Sequence, residues 1–149
     1  MEEKGILSLD AFFASVVAII IIGMLANLTL ERMNAAENIG NLGRARMILE
    51  EFANGIDIAY TNGPGFAINI TLELLKSNSG ANIQYELDVV GKNALLKTGI
   101  NGVNHSITAP VLCNETKIQG IPISVNNATI LMIKNNGTYE NPLINIIRI

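Results

Sequence analysis

The sequence predicts an α+β protein: one long N-terminal helix, then a small antiparallel β-sandwich-like head. Three observations predict it. Residues 11–30 carry no charge. Helical periodicity continues for about thirty residues beyond them. After Thr61-Asn62-Gly63-Pro64-Gly65 the apolar period changes from 3.6 to 2.

Composition fixes what this chain can be. With 149 residues, 49% of them apolar, there is room for one ordinary domain plus one long element. The formal net charge is -3 and the 10 Lys and Arg are scattered, which argues against a nucleic-acid partner. A single cysteine excludes an internal disulfide framework, and one cysteine with one histidine is too few for a tetrahedral zinc site without carboxylates.

The uncharged stretch 11–30 spans about 30 Å as a helix, the thickness of a bilayer's hydrocarbon core. A secretory signal peptide would have a basic leader and a small-residue cleavage site behind its apolar run. Met1-Glu2-Glu3-Lys4-Gly5 is net acidic, and no A-x-A site follows. A plain signal anchor fits the length but leaves Asp10 unexplained, since a carboxylate near the head of a spanning helix is costly without a partner. Two accounts of Asp10 stand side by side. In one, Ser8 is the N-cap and Asp10 lies in the first turn, facing the positive end of the helix dipole. In the other, the chain is cut after Gly5, and the new ammonium at Ile6 neutralises Asp10 four residues on.

The residues Lys4, Gly5, Ser8, Leu9 and Asp10 resemble the start of archaeal type IV pilin-like proteins, whose precursors carry a class III signal peptide. That family has a short polar leader ending in Lys-Gly or Arg-Gly, then Ser and an acidic residue, then an apolar helix. This chain departs at Ile6, where many members have Gln, at Asp10, where Glu is usual, and at Ala14, where Leu is common. The resemblance implies a leader at 1–5, cleavage between Gly5 and Ile6 by a prepilin peptidase, and a helix over 6–60 that serves first as a transmembrane element and then as filament core. Lys4, Gly5 and Ile6 would be the processing residues, Asp10 and Ser8 the assembly residues.

Ala35, Ile39, Leu42, Ala45, Leu49, Phe52, Ile56 and Ala59 recur at three and four, one stripe of the continuing helix. Asn34, Glu37, Asn41, Arg44 and Glu51 fall largely on the other side. Gly23, Gly40, Gly43 and Gly55 each cost roughly 1 kcal/mol against Ala, which suggests either a bend or local melting near 40–43, or close helix packing. The turn at 61–65 ends the helix, and the family often places a similar Gly-Pro-Gly between helix and head.

The β domain, 66–149, reads as a series of short strands. Phe66, Ile68, Ile70 and Leu72 alternate, as do Ile83, Tyr85, Leu87 and Val89, with Gln84, Glu86 and Asp88 outward. Further strands are expected over 94–98, 103–108, 111–117, 121–125, 129–134 and 143–148. Turn signals at Ser79-Gly80, Gly91-Lys92-Asn93, Asn101-Gly102 and Asn136-Gly137 separate several of them. The helix's C-terminal half is expected to pack on one face, and the last strand has no evident inside.

Candidate chemistry is sparse. Asn-x-Ser/Thr sequons begin at Asn27, Asn69, Asn104, Asn114, Asn127 and Asn136. Asn69 and Asn104 lie opposite the apolar face of their strands, where a glycan would reach solvent, whereas Asn27 lies inside the apolar helix and is expected to be unmodified. His105 and Cys113 share faces with Val103, Ile107 and Val111 and read as core-side residues, not as a nucleophile pair. Glu86 and Asp88 are too few for a calcium site. With no phosphate loop or zinc spacing, neither enzyme activity nor a cofactor or metal is expected.

The resemblance thus implies a structural subunit of a cell-surface filament. Its partners would be copies of itself, the prepilin peptidase, the pilus assembly machinery and, before assembly, the membrane. An uncleaved single-pass anchor carrying an extracellular binding domain, and an archaellin-like subunit, are the alternatives.

Overall fold

A computed structural model describes residues 3–77, 80–100 and 102–149, with side chains from residue 9 onward. The α+β class is the one observed. One helix, α1 (Glu3–Asn62), precedes strands β1 (Ala67–Leu72), β2 (Leu75–Lys76), β3 (Asn82–Ile83), β4 (Tyr85–Val90), β5 (Asn93–Ile100), β6 (Val103–Pro110), β7 (Ile118–Gln119), β8 (Ile123–Val125), β9 (Thr129–Asn135) and β10 (Ile144–Arg148). The chain divides into two compact units, Met1–Glu37 and Asn38–Ile149. That division falls within the helix, not at the Gly-Pro-Gly turn, because from residue 41 onward α1 is part of the head's core.

In the second unit, one sheet has the order β1-β9-β10-β7 and another β6-β5-β4-β8, with β2 and β3 as a separate short pair. All pairings are antiparallel except β10 with β7, where Ile144 lies beside Ile118 in a parallel pair. The inward residues Leu72, Leu131, Ile133 and Ile144 of the first sheet and Leu87, Leu96 and Val125 of the second are fully buried. They form one cluster with Leu49, Phe52 and Ile56 of the helix. Strand β10 does have an inside: Ile144 and Ile146 are buried, and Ile147 is exposed.

The helix presents 41, 45, 48, 49, 52, 53, 56 and 59 to this core. The expected stripe was therefore partly misphased. Ile39 is 73% exposed and Ala35 is exposed, while Asn41, expected outside, is buried. The helix is unbroken through Gly40 and Gly43, so the expected melting there is absent. At Gly55 the close neighbour is the first sheet, where the expectation was another helix. A Cβ there would lie 3.0 Å from Ile133 Cδ1 and 3.3 Å from Ile70 Cγ2, so the missing side chain lets the helix approach the first sheet.

The helix ends as its sequence dictates. Thr61 Oγ1 donates to the Asp57 carbonyl (2.7 Å) and Asn62 Nδ2 to the Ile58 carbonyl (2.8 Å). Gly63 then takes the left-handed conformation, φ 85°, that stops a helix. The buried Asn135 side chain donates to the orphan carbonyl of Ala59 (3.2 Å) and accepts from Gly137 N (3.1 Å) and Leu143 N (3.4 Å), tying α1 to the β9–β10 connection.

Residues 111–117 do not form the expected strand. Val111 N donates to the Lys92 carbonyl, Leu112 N to Asp57 Oδ1 (2.8 Å) and Glu115 N to the Gly91 carbonyl, and a 3-10 turn, Glu115–Lys117, follows. These backbone groups find partners in a loop and a helix side chain, so no ladder forms. Gly91 makes the expected β4–β5 turn with φ 64°. Ser79 and Asn101, from two other expected turns, lie outside the described residues. The Asn136-Gly137 signal opens a longer loop, closed by Asn136 N donating to the Leu143 carbonyl (2.8 Å).

Candidate functional site

The first unit is the part of the molecule that its own fold leaves uncovered. From Leu9 to Met33 every large apolar side chain is exposed. Ile19, Ile20, Ile21 and Ile22 are 69%, 51%, 51% and 65% exposed. Four consecutive residues, each turned about 100° from the last, sweep round the whole helix, so no face of it is covered. A helix that is apolar all round belongs in a membrane or among other helices rather than in water. Among the described residues, Leu9–Asn62 is the helix long and apolar enough to cross a bilayer.

The two hydroxyls in this stretch are satisfied within the helix. Ser15 Oγ donates to the Phe12 carbonyl (2.7 Å) and Thr29 Oγ1 to the Leu25 carbonyl (2.8 Å). Hydroxyls bonded in this way present only carbon outward, as an environment without water requires. Phe12 and Phe13 meet edge to face with ring centroids 6.0 Å apart.

Asp10 is exposed at the head of the uncharged stretch. Because α1 begins at Glu3, Ser8 is inside the helix and is not its N-cap, and Asp10 lies beyond the first turn. The dipole account of this pair therefore loses its geometry. Lys4, Gly5, Ile6 and Ser8 are helical in backbone, and their side chains lie outside the described residues, as do Met1 and Glu2. Ile6 and Asp10 sit four residues apart on one helix, hence on the same side, one turn apart.

On the head, Asn69, Asn104, Asn114, Asn127 and Asn136 are all exposed. Their hydroxyl partners differ. Thr71, Ser106, Thr116 and Thr138 are exposed, but Thr129 is buried, donating to the Asn127 carbonyl (2.8 Å) and accepting from Arg148 Nη2 (2.6 Å). Asn27 is exposed on the apolar helix.

His105 and Cys113 are not brought together as a catalytic pair. His105, half-buried, faces Thr98 across the β5–β6 ladder, whereas Cys113 is buried beside Asp57 of the helix. Burial, with the Asp57 carboxylate second, pushes the Cys113 thiol up to about 11, so it is protonated at neutral pH and a poor nucleophile. Burial likewise raises the Tyr85 phenol, aided by Glu51 and Glu73, and its hydroxyl donates to the Glu73 carbonyl (2.7 Å). Glu86 pairs with Lys97 (3.2 Å) and Asp88 Oδ1 accepts from Val89 N (2.8 Å). Among the described residues no three His, Cys, Asp or Glu side chains cluster as metal ligands.

Sequence reasoning missed Asn41, whose buried Nδ2 has no hydrogen-bond partner among the described residues, and Asn135. Neither carries a sequence signal apart from being an Asn within or beside an apolar run. No family model, curated protein or solved structure matches the chain.

Proposed function

We propose that this chain is a pilin-like structural subunit of an archaeal type IV pilus-like filament. It is cleaved after Gly5, held in the membrane by residues 11–30 until assembly, and then packed helix against helix. The observation that carries the reading is a helix exposed and apolar on every face, headed by the single carboxylate of Asp10 and continuous with a helix that anchors a folded head. An anchor alone needs the apolar stretch but has no use for the carboxylate. A cleaved subunit uses both, because a new ammonium at Ile6 lies one helical turn from Asp10.

Magnitudes divide the labour. Burying each large aliphatic side chain contributes roughly 1.5–3 kcal/mol, and the apolar stretch holds many, whereas an exposed ion pair contributes about 0–1 kcal/mol. Cohesion therefore comes from the helix surface, and Asp10 sets register. Exposed sequons on the head are consistent with a glycosylated outer surface, and no enzyme activity is assigned. The filament's partners are copies of this chain, the prepilin peptidase and the assembly machinery.

The test is Asp10→Ala in the producing cell. The variant should be processed and membrane-inserted, with filaments in the sheared fraction reduced at least about tenfold. Normal filament yield would remove the role given to the carboxylate.

A further inference from the structure

The outer face of the β6-β5-β4-β8 sheet is hollowed into an open trough of about 570 Å³. Strand register defines it. Val125, Tyr85, Thr98 and His105 form a cross-strand row whose side chains point inward, so their backbone makes the floor. One wall is the next outward row: Ser124, Glu86, Lys97 and Ser106. The other wall carries Asn126, Gln84 and Asn104, with Gly99 between the last two strands. The trough crosses four strands, about 14 Å at the usual strand spacing.

The walls select a chemistry. They offer three amides and two hydroxyls, groups that both donate and accept. The one cation, Lys97, is engaged with Glu86 (3.2 Å), leaving no net charge to hold an anion. No aliphatic or aromatic side chain stands in either wall, so a peptide would find no side-chain pocket and a base nothing to stack on. Gly99 is the third element. Glycine inside a strand costs stability and marks close approach of something else. A Cβ there would meet nothing nearer than Asn104 Oδ1 at 3.6 Å, on the outward, exposed face.

We infer that this trough is a binding site for neutral carbohydrate, two or three sugar units lying across the strands with hydroxyls on the amide walls and a ring edge in the notch at Gly99. The sugar comes from one of two sources, a glycan on another molecule or one attached at the exposed Asn104 sequon on the trough's own rim. The inference does not depend on cleavage or polymerisation.

The full chain, produced without glycosylation and held in a zwitterionic detergent free of sugar, is titrated with maltotriose, mannotriose and chitotriose. Amide chemical shifts are followed by NMR. Binding of at least one probe should perturb residues 84–86 and 97–99. Gly99→Val, which fills the notch without backbone strain, should weaken it at least about tenfold with the rest of the spectrum unchanged. Gln84→Ala, at an exposed position, is the second variant should Gly99→Val disturb the sheet. In parallel, the native chain is mapped for a glycan at Asn104, and amide exchange of residues 97–99 is compared before and after deglycosylation. Probe binding lost in the variants assigns an external glycan, and protection lost on deglycosylation assigns the chain's own. Absence of both, or probe binding indifferent to both variants, overturns the inference.

Discussion

Asn135 connects three segments with one side chain. It satisfies the Ala59 carbonyl, which the helix leaves unpaired near its end, and holds Gly137 N and Leu143 N of the loop before β10. Asn135→Ala removes the partner of one buried carbonyl and of two half-buried N–H groups, and we expect a loss of about 1–3 kcal/mol, read as a lower urea midpoint of the full chain in detergent at unchanged slope. A loss below about 0.5 kcal/mol would mean that these bonds add nothing net. Cys113 gives a pH signature. Its thiol pKa is raised in the folded chain, so between about 9 and 11 the unfolded chain has released the proton and the folded chain has not. The stabilisation is complete below pH 9 and is lost as pH rises, by at most about 1.4 kcal/mol per pH unit. Cys113→Ala should flatten that slope between pH 9 and 10, a range below the ordinary tyrosine value of 10.0 at which Tyr85 of the unfolded chain releases its own proton. Equal slopes in the two proteins would contradict the burial argument.

Among elements, the helix glycines divide into two kinds. At Gly55 the first sheet lies against the vacant Cβ position, so Gly55→Leu should cost more than about 2 kcal/mol, while at Gly43 nothing lies within 4 Å. There Gly43→Ala should gain up to about 1 kcal/mol by helix propensity alone. Thermal unfolding of the two variants checks both signs, and a destabilised Gly43→Ala would reveal a contact within the chain. What sequence could and could not give follows from the same distinction. Local periodicity showed the long helix, the turn at Gly63, and strands β1, β4, β5, β6 and β9, since each carries its apolar pattern within itself. The inward face of the helix near residue 41 was misread because its phase depends on where the head begins to cover it, which is a long-range fact. Val111 and Cys113 alternate with exposed Leu112 like a strand, yet the backbone N–H groups of Val111, Leu112 and Glu115 donate to Lys92, Asp57 and Gly91, distant in sequence. The parallel β7–β10 pair and the trough across four strands were equally out of reach, being products of register. At the proposed processing site the reverse holds: Lys4, Gly5 and Asp10 are local in sequence, and the fold adds only that they share one helix.

The whole molecule consists of two units with different demands. The head is held by a buried core to which both sheets and residues 45–59 of the helix contribute. The described side chains of the first unit have no such cover and are suited to a bilayer or to neighbouring helices. Everything distinctive in that proposal depends on a cut that turns Ile6 into a new N-terminus opposite Asp10. Intact-mass and N-terminal peptide measurement of the chain recovered from sheared cell-surface filaments tests this most directly. The account predicts a mature chain beginning at Ile6, with Met1 to Gly5 absent. A filament or membrane fraction in which the chain retains Met1 to Gly5 would contradict it and leave an uncleaved anchor.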